Sequence, residues 1–141
     1  MQKQSLLNIL NVLQPMHDLA GKRFSNWAIS IKITKALKEL ESQKDIYVEK
    51  ESSIVDHYGL KDTNGKVMYD KNGQPKFKDV KTFGEFQKDL LELQHTEVEI
   101  FDPIMLNIND FRPDEAPLTP NQIIALSGFV DFDIEEGGGQ A

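Results

Sequence analysis

The feature that most limits the possible folds is a stretch of 34 residues, 25–58, that contains neither glycine nor proline. Apolar residues recur within it at alternating intervals of four and three, which is the heptad period of coiled coils and other packed helices. The eight positions of this seam are Ile33, Leu37, Leu40, Lys44, Tyr47, Glu51, Ile54 and Tyr58. Gly59 stands where a C′ glycine commonly ends a helix. The stretch therefore predicts one helix of roughly 50 Å, which needs a partner along its length.

A second helix with the same period follows and supplies that partner. Thr82 and Glu85 have the spacing of a capping box, with Thr82 as the N-cap. The apolar positions that follow are Phe83, Phe86, Leu90 and Leu93. Two helices with one seam period and a compact insert between them predict an antiparallel helical hairpin over residues 25–58 and 82–95.

The insert, residues 60–80, contains a small repeat. Residues 62–69 are followed at once by residues 70–77, and each copy has Asn-Gly at its third and fourth positions. Asn-Gly tolerates positive φ at both residues and so predicts type I′ turns. We expect a β-hairpin or a three-stranded tip at the end of the helical hairpin. Because loops on a rigid scaffold often carry function, the candidate interaction residues here are Asn64, Tyr69, Asn72 and Phe77.

The chain before the long helix predicts a shorter one. Its apolar positions include Leu6, Leu7, Leu10 and Leu13. Ser5 precedes them as the expected N-cap. Pro15 has no backbone donor, so we expect this helix to end or kink near Gln14.

The last third of the chain predicts a strand and a short helix at the base of the hairpin. Apolar residues at even positions from 98 to 108 indicate a strand, which Pro103 breaks or confines to a sheet edge. Thr119 and Gln122 form a second capping box with Pro120 at the first helical position, on a helix that should close at Gly128. Apolar residues then alternate with acids up to residue 134.

These elements predict a single α+β domain over residues 1–134 that is mostly α. Residues 135–141 should form a disordered tail. A length of 141 residues leaves little room for a second domain. The sequence shows neither a signal peptide nor an apolar run long enough to span a membrane, so we expect a soluble protein.

Charge is unevenly distributed along the chain. Residues 1–96 carry 15 basic and 13 acidic residues, whereas residues 97–141 carry ten acids and Arg112 alone. The net charge of -7 argues against non-specific binding of nucleic acid. The acidic third is either a solvated surface that aids solubility or an imitation of a line of phosphates. For the second interpretation the candidate contact residues are Asp131, Asp133, Glu135 and Glu136.

The residue patterns of an enzyme are missing. Without cysteine there is no thiolate metal site and no cysteine nucleophile. Glu92 and His95 have the Glu-x-x-His spacing of a metal-binding helix, but the second copy that a di-iron bundle uses is absent. The Asn-Gly turns place glycine too early for a calcium loop, and there is no nucleotide-binding motif. We expect no catalytic residue, no metal and no cofactor.

One basic stretch surrounds the single tryptophan, Trp27. Its basic residues are Lys22, Arg23, Lys32, Lys35 and Lys38. These side chains could bind phosphates while Trp27 stacks on a base. We favour the alternative, in which Trp27 packs in the core and the lysines form a solvated face, because acids continue the same helix.

The order of these segments is itself informative. The helix end His-Tyr-Gly-Leu-Lys-Asp at 57–62 is followed by the two Asn-Gly turns, by Phe-Gln-Lys-Asp-Leu-Leu-Glu-Leu at 86–93 and by Leu-Thr-Pro-Asn-Gln-Ile at 118–123. In this order they resemble a group of small proteins encoded by tailed bacteriophages and prophages. The resemblance covers residues from about 5 to 133, and it is carried by topology and composition rather than by catalytic motifs.

The resemblance implies a phage origin, a location in the host bacterial cytoplasm or in the virion, and a role performed by binding proteins. Our first expectation is a non-enzymatic structural or assembly component of the phage particle, which binds phage structural proteins or further copies of itself. Our second is a small acidic inhibitor of a host nuclease or anti-phage defence complex. Neither expectation involves a membrane, and only the second involves imitation of nucleic acid.

Overall fold

A computed structural model describes residues 1–116 and 118–133, and over these residues the chain is mostly helical. Its helices are α1 (Leu6–Ala20), α2 (Trp27–Tyr58), α3 (Val80–Gln94) and α4 (Pro120–Ala125), with a short 3₁₀ helix at Ile108–Asp110. Its strands are β1 (Gln2–Ser5), β2 (Glu97–Ile100), β3 (Ile104–Asn107) and β4 (Val130–Asp133). The expected mostly helical α+β content and the long helix are confirmed. The tail predicted at 135–141 lies outside the described residues.

Helix α1 begins as expected but continues further. The Ser5 hydroxyl accepts a hydrogen bond from the N–H of Asn8 at 3.1 Å, as an N-cap does. The helix does not end near Gln14, because α1 runs through Pro15 to Ala20. A proline inside a helix costs about 3 kcal/mol. Met16 and Leu19 beyond it are completely buried, and each such burial contributes about 1.5–3 kcal/mol, so packing outweighs the lost hydrogen bond.

The first half of α2 lies at the centre of the core. Its buried seam residues are Ile33, Leu37, Leu40 and Tyr47. Helix α1 packs against this half, and residues of β2, β3 and β4, with Leu126 and Phe129 after α4, complete one cluster with it. Asn26 is the N-cap of α2, since its side-chain oxygen accepts from the N–H of Ile29 at 3.1 Å.

The second half of α2 leaves this core and forms a different structure with α3. We call residues 48–94 the arm and the other described residues the body. Gly59 is the only buried residue of the arm, and every buried side chain in the described part of the chain belongs to the body. The last seam residues of α2, Ile54 and Tyr58, are only half-buried. The heptad pattern therefore continues past the point where the core ends.

Helix α3 begins earlier than the sequence suggested. The carboxylate of Asp79 accepts a hydrogen bond from the N–H of Thr82 at 2.8 Å, which makes Asp79 the N-cap. The predicted capping box of Thr82 and Glu85 is wrong. The Asp79 side chain accepts the hydrogen bond from the N–H of Thr82, so Thr82 lies inside the first turn. The same hydrogen bond is the main reason that the pKa of Asp79 is lowered. A negative charge at a helix N-terminus is also favourable for the helix dipole.

The two helices of the arm meet through half-buried and polar residues. Tyr58 donates a hydrogen bond to Asp89 at 2.7 Å, and its ring lies edge-on to Phe86 with the centroids 6.5 Å apart. Closer to the body, the Gln94 amide donates to the Tyr47 hydroxyl at 3.4 Å. The hydrogen bond to Asp89 raises the pKa of the Tyr58 phenol, because the carboxylate opposes its ionisation. These contacts join the helices without forming a buried core.

The tip of the arm, residues 59–79, has the two expected turns in a different geometry. Gly65 and Gly73 both have a φ of 79°, whereas no other residue type in the described chain has positive φ. The type I′ prediction is wrong, because it required positive φ at Asn64 and Asn72 as well. The N–H of Gly65 donates to the carbonyl of Asp62 at 3.0 Å, and the second repeat has the same hydrogen bond. Each turn is therefore of type I and is followed by a glycine bulge.

Three short extended segments complete the tip. The N–H of Met68 donates to the carbonyl of Leu60 at 2.7 Å, that of Lys76 to Met68 at 2.9 Å, and that of Leu60 to Lys76 at 2.8 Å. The three hydrogen bonds thus close a ring, and the segments also meet at isolated bridges rather than as full strands. The ring gives the tip a defined backbone at the end of α2.

The two sheets belong to the body. Strand β1, which the sequence analysis did not anticipate, pairs antiparallel with β2, and β3 pairs parallel with β4. The predicted break at Pro103 is confirmed, since β2 ends before it and β3 begins after it. The second capping box is also confirmed. The Thr119 hydroxyl accepts from the N–H of Gln122 at 3.2 Å, and the Gln122 side chain accepts from the N–H of Thr119 at 2.8 Å.

Steric crowding explains why glycine occupies position 59, directly after α2. Its φ of -66° and ψ of 144° are not the left-handed conformation expected of a C′ glycine. A Cβ built at this position would lie 2.7 Å from Cγ1 of Val67 and 2.8 Å from the carbonyl oxygen of Val55. Glycine is needed here because the tip packs back onto the last turn of α2.

We expect Gly59→Ala to lower the free energy of unfolding by about 1–3 kcal/mol, because the added methyl group overpacks this contact. Gly84→Ala is the matched control. A Cβ at Gly84, inside α3, would meet nothing within 4 Å, and alanine there should raise stability by about 0.5–1 kcal/mol. Urea unfolding followed by circular dichroism measures both changes. Two variants with equal stability would contradict the close approach at Gly59.

Candidate functional site

The tip presents three of the predicted interaction residues on a backbone held by hydrogen bonds. Asn64 and Asn72 are exposed, and their N–H groups donate to the carboxylates of Asp62 and Asp70, each at 2.8 Å. Tyr69 lies between the two turns and is 55% exposed. The tip therefore exposes two amide side chains and one phenol on a hydrogen-bonded backbone.

Phe77, the fourth candidate in the insert, is placed differently. Its ring centroid lies 5.2 Å from that of Phe83 and 4.8 Å from that of Phe86. Phe77 is half-buried and packs the tip onto α3. Its first role is thus within the arm, and a direct role in binding stays a prediction.

The acidic candidates are separated from the tip. Asp131 and Asp133 have exposed side chains on β4, in the body. The structure therefore does not bring the two predicted groups together, since one lies in the arm and the other in the body. Glu135 and Glu136 lie outside the described residues.

Other acids of the last third bind inside the body. The Arg23 guanidinium donates to Asp114 at 2.9 Å, and the N–H of Arg23 donates to Glu115 at 2.6 Å. Beside them the rings of Phe24 and Phe111 lie 5.1 Å apart. These contacts fasten the loop after β3 to the connection between α1 and α2. We call this set of contacts the clamp.

A groove of about 660 Å³ opens beside the clamp, at the carboxyl ends of β3 and β4. Its apolar walls are Ile108, Phe111, Leu118, Ile123 and Phe132. The sequence analysis missed this groove, because the alternating pattern grouped Ile108 with the buried residues of β3. Asn107 caps the 3₁₀ helix instead and ends the strand, which leaves Ile108 72% exposed.

Trp27 is not in the core, so the sequence prediction that it packs there is wrong, whereas the lysines of α2 are exposed as expected. Trp27 is the first residue of α2 and is 81% exposed. Ile31, one turn later on the same face, is 52% exposed, whereas Ile33 is completely buried on the other face. The reason is helical geometry, because a residue four positions from another shares its face and one six positions away does not.

The basic residues around Trp27 divide into two groups. Lys22 and Arg23 are engaged in the body, the first with the carbonyl of Ala116 at 3.4 Å and the second with the clamp. Lys32, Lys35 and Lys38 are exposed on α2. The basic character of this surface therefore comes from α2 rather than from the residues before it.

The Glu92 and His95 pair does not form part of a metal centre in the described residues. The Nδ1 atom of His95 lies 2.8 Å from the carbonyl oxygen of Leu91, and His95 is the C-cap of α3. Within residues 1–116 and 118–133 there is no group of three side chains of the metal-binding types. Over the same residues, no helix has both the length and the apolar composition to cross a membrane.

Comparison with known proteins adds no identification. No protein-family model, no curated protein and no solved structure matches this chain. The described residues form a mostly helical α+β protein with an arm that lacks buried side chains and an apolar groove beside the clamp.

The clamp should make the stability of the body depend on pH in the acid range. The N–H of Arg23, more than any other group, holds the pKa of Glu115 below its ordinary value, and the N–H of Ala116 and the charges of Lys22 and Arg23 act in the same direction. A carboxyl with a lowered folded pKa stabilises the fold fully above its unfolded pKa of about 4.3 and loses that contribution as the pH falls through the folded value. We expect Glu115→Gln to lower the thermal midpoint at about pH 7, and its difference from the wild type to shrink in acid.

The control is Glu49→Gln, at an exposed position of α2, which should leave the thermal midpoint unchanged. Thermal unfolding measured by circular dichroism from about pH 3 to about pH 7 gives both comparisons. A deficit for Glu115→Gln that stays constant over this range would contradict the role assigned to the ionised carboxylate.

Proposed function

We propose that this chain is a non-enzymatic interaction protein of a tailed bacteriophage, that it serves as a structural or assembly component of the particle, and that the arm is its binding surface. The phage origin rests on the sequence resemblance. The binding role rests mainly on one observation, namely that residues 48–94 contain no buried side chain although the two helices in this range follow a heptad pattern.

The arm has the properties of a surface that another molecule completes. Helices gain most of their stability from packing an apolar face, yet Phe83 is 40% exposed, Leu91 54% and Val80 86%. Covering such residues contributes about 25 cal/mol for each Å² of apolar surface removed from water. A partner that packs against the arm would therefore stabilise the arm as it binds.

We include in this proposal that α2 and α3 form an antiparallel helical hairpin. The contacts that support it are Tyr58 with Asp89 and Tyr47 with Gln94, at 2.7 and 3.4 Å. Residues later in α3 thus meet residues earlier in α2, as in an antiparallel pair. Such a hairpin carries the tip at its free end, where exposed Tyr69 would be among the first side chains to meet a partner.

The alternative function, an acidic inhibitor of a host nuclease or defence complex, has weaker support. Nucleic-acid mimicry needs carboxylates that face outward. Asp114 and Glu115 bind Arg23 in the clamp, and Asp110 accepts a hydrogen bond from the N–H of Asn107 at 2.7 Å. Three acids of the proposed line are therefore already engaged within the body.

The test is affinity purification of the tagged protein from cells infected with the phage that encodes it, with mass spectrometry at low and high salt. We expect the wild type to retain phage structural proteins at high salt, because apolar contacts are little screened by ions. Leu91→Glu should reduce their recovery at least about tenfold, since it places a charge in the proposed interface. Met105→Glu, at a body residue that is 63% exposed, is the matched control and should not.

Recovery of phage proteins that Leu91→Glu leaves unchanged would contradict the arm as the binding surface. Recovery of a single host nuclease or defence subunit, released by salt and lost in Asp131→Asn, would favour the inhibitor instead. Thermal unfolding of each variant provides the folding control, because substitutions at exposed positions usually change stability by less than about 0.5 kcal/mol.

A further inference from the structure

The body has a protruding aromatic side chain directly beside its apolar groove. Trp27 is 81% exposed, and Ser25, two residues before it, lies in the wall of the groove. On the groove side of the same patch, Ile108 lines the groove and is 72% exposed. A large aromatic residue removes about 150–250 Å² from water when it is covered, so both features carry a considerable cost while they face solvent.

The two features match in chemistry. The groove has a volume of about 660 Å³ and mostly apolar walls, which suits an indole ring. The charged residues that line the groove are of both signs, namely Arg112, Glu115 and Asp133, and Glu115 already accepts the N–H of Arg23 in the clamp. The match between the two features is therefore one of size and apolar character.

We propose that the body forms a two-fold symmetric dimer in which Trp27 of each copy enters the groove of the other. A two-fold interface uses the same patch of both molecules, so a projection and its receptor must lie side by side on one surface. The separation of two residues between Trp27 and the groove residue Ser25 meets this condition. The occupant of the groove is therefore a second copy of this chain.

The size of the patch agrees with a small dimer interface. A standard interface buries about 800 Å² on each partner, and Trp27 supplies about a quarter of it. Ile31, on the same face of α2, and the groove residue Ile108 contribute further, since they are 52% and 72% exposed. Tryptophan is among the residues that most often dominate the binding energy of an interface. The dimer is independent of the function proposed for the arm, and purified protein is sufficient to test it.

Trp27 is the only tryptophan of the chain, so its fluorescence reports this contact alone. Sedimentation equilibrium of the full chain from about 1 to about 500 µM should show the mass rising from 16.1 kDa towards twice that value. Over the same range the emission should move to shorter wavelength and acrylamide quenching should decrease. Trp27→Ala and Ile108→Glu should each weaken dimerisation at least about tenfold. Val80→Ala, at a residue of the arm that is 86% exposed, should not change it.

Mixing the two variants tests the reciprocal contact itself. Trp27→Ala retains an intact groove and Ile108→Glu retains an intact tryptophan, so a mixed dimer recovers one of the two contacts that each homodimer lacks. We expect the mixture to dimerise at concentrations where neither variant does alone, with a blue shift from the Trp27 of Ile108→Glu. No merely structural effect of either substitution produces this rescue.

Several outcomes would overturn the proposal. A wild-type chain that remains a monomer throughout the series contradicts it, as does a mixture that shows no rescue. A blue emission that does not depend on concentration would mean that Trp27 occupies the groove of its own chain. Dimerisation only after truncation at Asp133 would assign the groove to residues 134–141, and quenching of Trp27 by a single-stranded oligonucleotide without self-association would assign the surface to nucleic acid.

Discussion

The body depends on the packing of α1 against the first half of α2. Ile9, Met16 and Leu19 from α1 and Ile33 and Leu40 from α2 all have no exposed surface. Full burial of one such side chain contributes about 1.5–3 kcal/mol, which is a large fraction of the stability of a domain of this size. Strand β1 leads directly into α1 and pairs with β2. The helix pair therefore also decides where the second half of the chain can join the core.

The position of the connection between α1 and α2 explains part of the acidity of the last third of the chain. Its loop has to return to the connection between α1 and α2, and Arg23 in that connection meets Asp114 and Glu115. The rings of Phe24 and Phe111, tilted by 34° to each other, close the same junction. Part of the charge difference between the two portions of the chain therefore serves an internal attachment. The groove exists because this attachment holds the loop beside α4 and the strand ends without filling the space between them.

Signals that act within one turn of the chain could be predicted from the sequence. The caps at Ser5 and Thr119 and the break at Pro103 need only neighbouring residues, and all three were correct. Competing local signals could not be resolved in the same way. Asp79 and Thr82 are both good N-caps, and the choice between them depends on where the tip joins α3.

Features that depend on distant contacts were the ones the sequence analysis missed. Periodicity shows that α2 has a buried face, but at its first turn only the position of the neighbouring elements decides that Trp27 points away from the core. Pro15 stays helical because distant partners bury the turn after it. Strand β1 has mostly polar residues and forms because β2 is held beside it. The groove arises from four separate segments, so no local pattern could indicate it.

The arm shows why a regular seam does not by itself predict a core. The spacing of Ile54 and Tyr58 continues that of Leu40 and Tyr47, yet the first two are half-buried and the last two are buried. Spacing determines which face of a helix is apolar, whereas the depth of burial depends on how many elements surround that face. The first half of α2, with Leu40, packs against α1 and belongs to the core cluster of the body, whereas further along α2 the neighbours are α3 and the tip. A seam that extends beyond its own core is therefore a reason to look for another molecule, and in this chain it extends along both helices of the arm.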